Sequence, residues 1–386
     1  MDAAPARRGR IVSGPIVVAA GGTGGHLFPA EALAGELLRR GRLVHFAVDA
    51  RVDALALRLP GAAVHHVRAG HLGGGPWPLA RGLAELALGV IEARALLRRL
   101  APAAVVGFGG YPSVPTMLAA AHLGLPTMIH EQNAVAGRAN RLLAPRMRQI
   151  AAGFPTIAGL RPADRARVAL TGNPVRPAVL AAGETLYRPP EPGQPIALLI
   201  LGGSQGARIM SEVMPGALAR LPEFLRGRLR VAHQARPEDR AAAALAYRTS
   251  GIAAEIESFF ADVPARLARA HLVICRSGAS TMAELAICGR PALLIPYPHA
   301  TDDHQTANAR AFAEAGAGWV RAEAQLDPEE LARFLAQRLA APADLETAAR
   351  AARSLGRPDA ARNLADLALA LTPDGHRNPL QKECAA

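Results

Sequence analysis

The chain has 386 residues, of which half are hydrophobic and a fifth are charged, a composition typical of globular proteins rather than disordered ones. Its length predicts roughly two to three domains. Lysine and arginine outnumber acidic residues by 44 to 32, and the only lysine is Lys382. This excludes a phosphate-binding loop that ends in Gly-Lys-Ser/Thr and a Schiff-base lysine of the kind that pyridoxal phosphate enzymes need.

The net charge of +12 predicts anionic partners, such as phosphorylated metabolites or a membrane surface. The arginines are scattered and aromatic residues make up only 4% of the chain, which argues against a base-stacking site for nucleic acid. The three cysteines, Cys275, Cys288 and Cys384, form no Cys-x-x-Cys pair. We therefore expect reduced thiols in a cytosolic protein.

No segment of the chain is predicted to span a membrane. Residues 1–14 form a short basic tail, which we expect to be disordered. The stretch 100–130 lacks Asp, Glu, Lys and Arg, but prolines and glycines interrupt it repeatedly. A continuous helix with these residues would leave backbone groups unpaired in lipid, so the stretch is predicted to contain strands, loops and a helix.

Short apolar runs alternate with amphipathic helical stretches, which predicts an α/β fold with parallel sheets. In the first half the predicted strands are 15–20, 43–48, 63–67, 103–108, 126–130 and 149–152. In the second half they are 196–201, 229–233, 254–257, 272–275 and 292–296. The two sets predict two halves of similar design.

A proline-rich stretch between residues 174 and 195 separates the two halves, since few packed elements use so much proline. We therefore predict a first domain over 15–176 and a second domain over 177–356. We expect the helix predicted over 357–371 to pack back on the first domain, and residues 372–386 to form a tail.

A strand, a glycine-rich turn and a helix follow one another in both halves, with the turns at 21–25 and 202–206. Backbone N–H groups and the helix dipole favour an anion at such a turn, whereas the alternative is a tight turn that only packs helix on strand. Asp49 keeps a dinucleotide-binding alternative open, although the glycines are not spaced as Gly-x-Gly-x-x-Gly. His26 begins the first helix and is a candidate general base, or else a polar helix N-terminal residue.

A third glycine turn at 107–113 and the sequence His-Glu-Gln-Asn at 130–133 follow two further strands. Side chains at the carboxyl edge of a parallel sheet point into the cleft where ligands bind. Glu131 and Asn133 lie on one side of an extended segment and offer a carboxylate and an amide for sugar hydroxyls. The alternative is that they brace a loop.

The most specific motif of the second half lies at 274–284, where a strand ends, Ser-Gly turns the chain and a helix begins. The helix N-terminus suits a diphosphate, and Glu284 is within reach of a ribose diol. Asp302 and Asp303 are candidate metal ligands, but adjacent aspartates do not share a helix face and no Asp-x-Asp occurs in the chain. We therefore predict that they form an acidic helix cap instead.

Seven motifs occur in one order along the chain: GGTGGHLFPA at 21–30, GFGGYPS at 107–113, HEQNAVAGRAN at 130–140, GNPVR at 172–176, GGSQGAR at 202–208, CRSGASTMAEL at 275–285 and a His-Gln-x-x-Asn-Ala run at 304–309. Together they resemble the MurG family of bacterial UDP-N-acetylglucosamine transferases, which are GT-B glycosyltransferases of family 28. The resemblance extends from Ile16 to Leu369.

The resemblance implies a GT-B fold, in which two Rossmann-like parallel-sheet domains face each other across a cleft that contains the site. It implies inverting transfer of N-acetylglucosamine from UDP-N-acetylglucosamine to the 4-hydroxyl of N-acetylmuramic acid in lipid I. The products would be lipid II and UDP, in peptidoglycan synthesis. UDP-N-acetylglucosamine would be a substrate, and neither a cofactor nor a metal is expected.

The resemblance also assigns roles to residues. Uracil would contact the backbone near Phe260, Glu284 would hold the ribose, and Gln305 would bind sugar hydroxyls. The full donor set that it implies is Thr23, Gly24, Gly25, Asn133, Arg176, Ser204, Phe260, Ala279, Ser280, Thr281, Met282, Ala283, Glu284 and Gln305. The acceptor diphosphate would lie against Gly24, Gly25, Gly109, Gly110 and Tyr111.

For the chemistry, the resemblance implies His26 as the base for the acceptor hydroxyl, with Glu131 as second choice. Helix N-termini and arginine would stabilise the departing UDP. The sequence departs from the family at two positions. His304 stands where the family has Gln, which leaves Gln305 for the sugar contact, and Phe260 is bulkier than the usual aliphatic residue, which a backbone contact tolerates.

Lipid I is membrane-bound, so the resemblance implies peripheral attachment to the cytoplasmic face of the bacterial inner membrane. The loop at 71–78 and the apolar residues of the following helix, flanked by arginines, predict a surface for an anionic leaflet. The alternative for the helix is a core-facing stripe. The expected contacts are Leu72, Trp77 and Arg81. Other cell-wall and division proteins are possible partners, and nucleic acid is not expected.

Three other hypotheses stay open from the sequence. The chain is another GT-B sugar-nucleotide enzyme, such as a UDP-N-acetylglucosamine epimerase or a glycolipid transferase, a dinucleotide-dependent oxidoreductase, or a non-catalytic scaffold for cell-wall enzymes. Turnover that depends on an acceptor would argue against another GT-B enzyme such as an epimerase. Absorbance from a bound cofactor would identify an oxidoreductase, and weak binding of the donor would identify a scaffold.

Overall fold

The computed structural model describes residues 14–21, 24–51, 59–70, 75–203 and 206–373. The strands of the first half are β1 Ile16–Ala19, β2 Val44–Val48, β3 Ala62–His66, β4 Ala104–Gly107, β5 Thr127–Glu131, β6 Gln149–Ala152 and β7 Val168–Leu170. Those of the second half are β8 Ile196–Leu201, β9 Leu229–Gln234, β10 Ala253–Glu257, β11 Leu272–Cys275, β12 Ala292–Leu294 and β13 Gly318–Val320.

These strands form two sheets in which all neighbours are parallel. The first sheet has the order β3-β2-β1-β4-β5-β6-β7, and the second has the order β10-β9-β8-β11-β12-β13. The strand order reverses between β1 and β4 and again between β8 and β11. In open parallel sheets, ligands bind beside the carboxyl ends of strands at such reversals, which directs attention to the turns after these four strands.

The helices of the first half are α1 Gly24–Arg39, α2 Pro76–Leu100, α3 Ser113–His122, α4 Arg138–Leu143 and α5 Pro162–Arg165. In the second half they are α6 Pro177–Gly183, α7 Arg208–Ala219, α8 Glu223–Arg226, α9 Arg240–Thr249, α10 Val263–Arg269, α11 Ala279–Cys288, α12 His304–Glu314, α13 Pro328–Leu339 and α14 Pro342–Ser354, and α15 Ala360–Ala370 follows them. Short 3₁₀ turns lie at Ala144–Arg146, Thr301–Asp303 and Glu323–Gln325.

The central strands are continuous apolar runs because helices cover both faces of each sheet. Every residue of β1, β4 and β11 is buried, for example. All strands predicted from the sequence are present, with ends that differ by at most two residues. The prediction missed β7 and β13, which have three residues each and lie at sheet edges, where so short a run shows no pattern.

The last described helix, α15, packs against α1 on the first sheet. Leu364, Ala365 and Ala368 are fully buried in the core that lies beneath α1. An ion pair between Arg40 and Asp366 holds the same two helices together at the surface. The chain therefore passes between the two halves twice, once before α6 and once before α15.

Candidate functional site

The carboxyl ends of β1, β4 and β5 bring three turns together on the first sheet. We name this region, residues 24–28, 108–111 and 130–134, the first-domain edge. A Cβ at Gly21 would lie 3.1 Å from the ring of Pro112, so two of the turns touch closely because residue 21 is glycine. Thr23, a predicted donor contact, lies outside the described residues, whereas Gly24 and Gly25 begin α1.

His26 lies in the first turn of α1 and faces the turn after β4. Its Nδ1 is 3.2 Å from Oε1 of Gln132. On the other side of the ring, a Cβ at Gly110, whose φ is +70°, would lie 3.2 Å from Cδ2 of His26, so the imidazole packs against bare backbone. Burial lowers the pKa of His26, and the charge of Glu131 and hydrogen bonds to Gln132 and the Phe108 carbonyl partly offset this effect. A neutral imidazole in this position can accept a proton.

Glu131 ends β5 and is only 2% exposed. Its Oε1 accepts from the backbone N–H of Asn133 at 3.0 Å and from the side-chain amide of the same residue at 3.3 Å. Its Oε2 accepts from the N–H of Gly137 at 2.9 Å and from Nδ2 of Asn140 at 2.8 Å. These four hydrogen bonds are those of a residue that braces the 131–140 loop, the alternative role that the sequence left open.

The other residues of the third glycine turn are also in place. Gly109 has a φ of +80°, and a Cβ there would lie 3.1 Å from the side chain of Asn140. The guanidinium of Arg51 lies 4.9 Å from the ring centre of Tyr111. This turn therefore sits beside His26, and its positive φ together with close packing restricts residue 109 to glycine.

The facing surface of the second half consists of residues 277–284 and 304–308, which we name the second-domain edge. Helix α11 begins at Ala279, and its N-cap residue Gly278 is extended and supplies no side-chain cap. The first N–H groups of the helix are thus left without a side-chain partner, as an anion site needs. Among the predicted donor contacts on α11, Ala279 and Met282 are buried, while Ser280, Thr281 and Ala283 are partly exposed.

Glu284 lies on α11 and pairs with Arg176, which precedes α6. Arg176 Nη2 is 3.2 Å from Glu284 Oε1. The same guanidinium lies 5.2 Å from the ring centre of Phe28 on α1, so it reaches both edges of the cleft. Burial raises the pKa of Glu284, and the charge of Arg176 offsets this only in part. This carboxylate would be stabilised by further hydrogen-bond donors.

Asn308 of α12 joins the two edges and is fully buried. Its Oδ1 accepts from the N–H of Ala134 at 2.8 Å, and its Nδ2 donates to Oδ1 of Asn133 at 3.1 Å. The same Nδ2 donates to the carbonyl of Ser277 at 3.0 Å. The sequence prediction assigned no role to Asn308, although it stands in the His-Gln-x-x-Asn-Ala run. The two edges are therefore in direct contact at Asn133.

Gln305 lies in the first turn of α12, where its Oε1 accepts from the N–H of Tyr297 at 3.0 Å. Its carbonyl accepts from the Ser277 hydroxyl at 2.7 Å, which ties the start of α12 to the turn before α11. His304 instead donates to the carbonyl of Thr301 at 2.8 Å. Gln305 thus lies beside the turn that was predicted to hold the donor.

The predicted acidic cap at Asp302 and Asp303 is wrong. Asp303 is the N-cap residue of α12, but its side chain accepts no capping hydrogen bond, and both aspartates have positive φ. Asp302 instead pairs with Arg138 and Arg141 across the cleft, because their guanidinium groups offer stronger partners than backbone N–H groups. In the part of the chain that the structure describes, no three His, Cys, Asp or Glu side chains are grouped to hold a metal.

Two predicted contacts of the second half have different outcomes. Phe260 is 4% exposed, and its ring lies 3.9 Å from the guanidinium carbon of Arg266. Its side chain therefore belongs to the core, so only its backbone is left for a ligand, as the sequence predicted for uracil. Ser204 lies outside the described residues, and its contact with the diphosphate stays a prediction.

The start of α2 carries an exposed apolar surface. Trp77 is 86% exposed and Leu83 is 51% exposed, whereas Ala93 and Leu97 further along the helix are buried against the sheet. Arg81 is exposed and pairs with Glu85 at 3.0 Å, one turn along the helix. The apolar residues predicted to form one stripe on α2 are thus divided between solvent and core. Leu72, the other predicted apolar contact, lies outside the described residues. Within the described ranges, no helix combines the length and apolarity needed to cross a bilayer.

Both halves of the chain match models of one known protein family. Residues 16–152 match the glycosyltransferase family 28 N-terminal domain, and residues 197–364 match the glycosyltransferase family 28 C-terminal domain. The chain belongs to glycosyltransferase family 28. The resemblance found in the sequence and the expectation of a hexosyltransferase are thereby confirmed.

Curated relatives share most of the chain. It is 55% identical to a protein of Rhodospirillum centenum over 92% of this chain and 94% of the relative. It is 52% identical to a protein of Paramagnetospirillum magneticum over 93% of this chain and 97% of the relative. Both are named UDP-N-acetylglucosamine--N-acetylmuramyl-(pentapeptide) pyrophosphoryl-undecaprenol N-acetylglucosamine transferase.

Solved structures agree on the architecture. The crystal structure of Acinetobacter baumannii MurG matches with a TM-score of 0.76 and 30% identity, covering 92% of this chain and 99% of that one. A putative UDP-N-acetylglucosamine 2-epimerase from Listeria monocytogenes matches with a TM-score of 0.65 at 15% identity, which shows a shared fold alone. The predicted GT-B fold is confirmed.

The structure brings together several of the residues that the sequence singled out. His26 and Gly110 meet at the first-domain edge, Glu284 meets Arg176, and Asn133 reaches across to the second-domain edge. Gln132 and Asn308 were not predicted as site residues. The signal was present, since both stand inside quoted motifs, but their amides act on other protein groups, and only the three-dimensional structure shows these contacts.

Proposed function

We propose that this chain transfers N-acetylglucosamine from UDP-N-acetylglucosamine to the 4-hydroxyl of N-acetylmuramic acid in lipid I. The products are lipid II and UDP, and the reaction belongs to peptidoglycan synthesis. The observation that carries the proposal is identity above half of all aligned residues, over nearly the whole chain, to relatives that bear the name of this transferase. The cleft supports it, because it pairs a neutral histidine with an anion-binding helix start.

In this proposal His26 acts as the general base. Its imidazole sits beside the glycine turn at Gly109 and Gly110, where the acceptor diphosphate would lie against backbone N–H groups. The 4-hydroxyl oxygen attacks C1 of N-acetylglucosamine as its proton passes to the imidazole. The bond between C1 and the phosphate oxygen breaks, its electron pair leaves with UDP, and the configuration at C1 inverts.

Glu131 serves this reaction as a positioning residue. Both of its oxygens are engaged by loop donors, so it has little capacity left to take a proton from substrate. It holds Asn133 where that residue meets Asn308 of the second half. Asn133 would then contact the donor sugar together with Gln305.

The donor would lie mainly on the second-domain edge. The uncapped start of α11 and the guanidinium of Arg176 would receive the diphosphate, and Glu284 would accept hydrogen bonds from the ribose hydroxyls. Negative charge that develops on the leaving UDP is stabilised by these same groups in our proposal. This assigns to protein dipoles and arginine the role that a metal has in other sugar-nucleotide enzymes.

Peripheral attachment to the cytoplasmic face of the inner membrane forms part of the proposal. The exposed side chains of Trp77, Leu79 and Leu83 at the start of α2 would enter the interface of the leaflet. Arg81 and neighbouring arginines would add attraction to anionic lipids, on the order of 1 kcal/mol each. The surface lies on the half that would bind the lipid-linked acceptor.

The proposal is tested by following labelled N-acetylglucosamine from its UDP donor to a lipid I analogue, with EDTA present. We expect label in a lipid product that depends on the acceptor. Label that reaches lipid only after magnesium is restored would contradict the metal-free arrangement but not the substrates. Donor turnover without any lipid product would contradict the proposed function and favour an epimerase.

A further inference from the structure

Gln132 lies between Glu131 and Asn133 in the chain, and it is only 2% exposed. Its Nε2 lies 2.9 Å from the carbonyl oxygen of Phe108 and 3.1 Å from the carbonyl oxygen of His130. A backbone carbonyl oxygen can only accept a hydrogen bond. The NH₂ end of this amide must therefore face these two carbonyls, which fixes the orientation of the whole side chain.

The opposite end of the amide faces His26, whose ring also has a hydrogen bond to the Phe108 carbonyl. Oε1 of Gln132 lies 3.2 Å from Nδ1 of His26, and an amide oxygen can only accept. Nδ1 must carry the hydrogen, so in the neutral ring Nε2 holds the free electron pair. Nε2 is the nitrogen that faces the glycine turn, since a Cβ at Gly110 would lie 3.4 Å from it.

We infer that Gln132 is a positioning residue that selects the Nδ1–H tautomer of His26 and so presents Nε2 to the acceptor. The inference rests on the proposed function, in which His26 takes the proton of the acceptor hydroxyl. Positioned bases commonly have a third group that orients them, and here this group is an amide. An amide orients the ring without adding a negative charge beside it.

Gln132 is itself held by the segment that links the two halves. Asn173 Nδ2 donates to the Gln132 carbonyl at 2.8 Å. Nε2 of His130 lies 3.1 Å from the carbonyl oxygen of Gly172, which can only accept, so this nitrogen carries the hydrogen of the ring. Nδ1 of His130 is then an acceptor, and it lies 3.2 Å from Nε2 of Gln132. The buried network thus runs from the linker at residues 172–173 through Gln132 to the base.

The first test needs no substitution in Gln132. Full-length protein labelled with ¹⁵N in histidine, studied by long-range ¹⁵N–¹H correlation spectra, reports which ring nitrogen carries hydrogen. A His26→Gln variant assigns the signals by their loss. We expect His26 to be in the Nδ1–H form, and a ring with its hydrogen on Nε2 would overturn the inference.

The second test compares Gln132→Met with a matched control, Gln149→Met. Gln149 also donates to a backbone carbonyl, that of Arg167 at 2.8 Å, but it lies in β6 away from His26. We expect Gln132→Met to mix the two tautomers and to lower kcat by roughly tenfold to a hundredfold, part of the roughly 10²–10⁴ that a general base supplies. The donor KM should not change, and the control should match the unaltered protein.

The pH profile gives a third readout that a merely structural role would not move. The bond to Gln132 stabilises the charged ring, so its loss should shift the acidic limb of kcat/KM to lower pH. An unchanged kcat and profile in Gln132→Met, or equal losses in Gln149→Met, would overturn the inference. Unaltered protein that binds donor but transfers nothing would instead contradict the proposed function, while the spectra still decide the tautomer.

Discussion

The two edges of the cleft are built differently. At the first-domain edge Glu131 is 2% exposed and has four hydrogen-bond donors from its own domain. At the second-domain edge Glu284 has one ionic partner, Arg176, at 3.2 Å, and burial raises its pKa. The hydrogen-bonding capacity of Glu131 is thus used within the protein, whereas Glu284 would gain hydrogen bonds when a ligand binds.

This difference matches two separate tasks. A base must be held in one geometry before the reaction, because disorder there would raise the barrier of the chemical step. A donor-binding carboxylate must exchange partners when the ligand arrives. The side chain of Arg176 is 44% exposed and that of Glu284 is 14% exposed. This pair suits such an exchange because it offsets only part of the cost of burying the carboxylate.

Activity should fall furthest when His26, the proposed base, is replaced. We expect His26→Gln to lower kcat by roughly 10²–10⁴ while the dissociation constant of UDP-N-acetylglucosamine stays the same. His122→Gln on the exposed end of α3 is the matched control and should behave as the unaltered protein. Steady-state transfer and equilibrium donor binding measure the two quantities. Turnover by His26→Gln close to that of the unaltered protein would contradict the role of the base.

Acid should destabilise both halves, because each holds a buried neutral histidine. Burial lowers the pKa of His130 in the first half and of His233 in the second to about 4, from an ordinary value of 6.5. As the pH drops, these histidines take up a proton in the unfolded chain before they do so in the folded protein. The free energy of unfolding therefore falls between pH 6.5 and pH 4, by about 3 kcal/mol for each histidine. Urea unfolding at several pH values measures this. In His233→Gln the free energy of unfolding should depend less steeply on pH. An unaltered pH dependence would contradict a buried neutral His233.

The same substitution at the two carboxylates should separate their effects on stability. Glu131→Gln places an NH₂ group against loop donors and should cost roughly 2–3 kcal/mol of unfolding free energy. Glu284→Gln should change the unfolding free energy by less than about 1 kcal/mol, since the ion pair with Arg176 offsets only part of the cost of burying the carboxylate. Denaturant unfolding measures the unfolding free energy of both variants. Equal losses in the two would contradict the difference between the two edges of the cleft.

Donor affinity, in contrast to stability, should depend more on Glu284 than on Glu131. Glu284→Gln loses charge-assisted hydrogen bonds to the ribose and should weaken binding of UDP-N-acetylglucosamine by about tenfold to a hundredfold. At saturating donor, kcat should be nearly unchanged. Titration calorimetry gives the dissociation constant, and an unaltered constant would show that Glu284 does not bind the donor.

Replacement of a single side chain on the proposed membrane surface should have a smaller effect, on vesicle binding alone. Trp77→Ala should weaken binding to anionic vesicles by about tenfold or less, from the loss of one exposed aromatic side chain. Transfer to a water-soluble acceptor analogue should not change. Phe224→Ala, an exposed aromatic on the second half, is the control. Equal sedimentation of both variants with vesicles would contradict the proposed surface.

Much of the fold was predictable because central parallel strands are long apolar runs, such as Ile196–Leu201. The short edge strands Val168–Leu170 and Gly318–Val320 carry no such signal. For the site, glycine turns at strand ends located His26 and Glu284. The roles of Gln132 and Asn308 and the pairing of Asp302 with Arg141 depend on residues far apart in the chain, which a single sequence does not bring together.

In our proposal the first-domain edge is complete before the donor binds, whereas the second-domain edge is not. A crystal structure with UDP-N-acetylglucosamine bound would show this difference. We expect the hydrogen bonds of Glu131 and Gln132 to remain as they are, while Glu284 leaves Arg176 for the ribose. A donor complex in which that ion pair persists, or in which the Glu131 bonds rearrange, would contradict it.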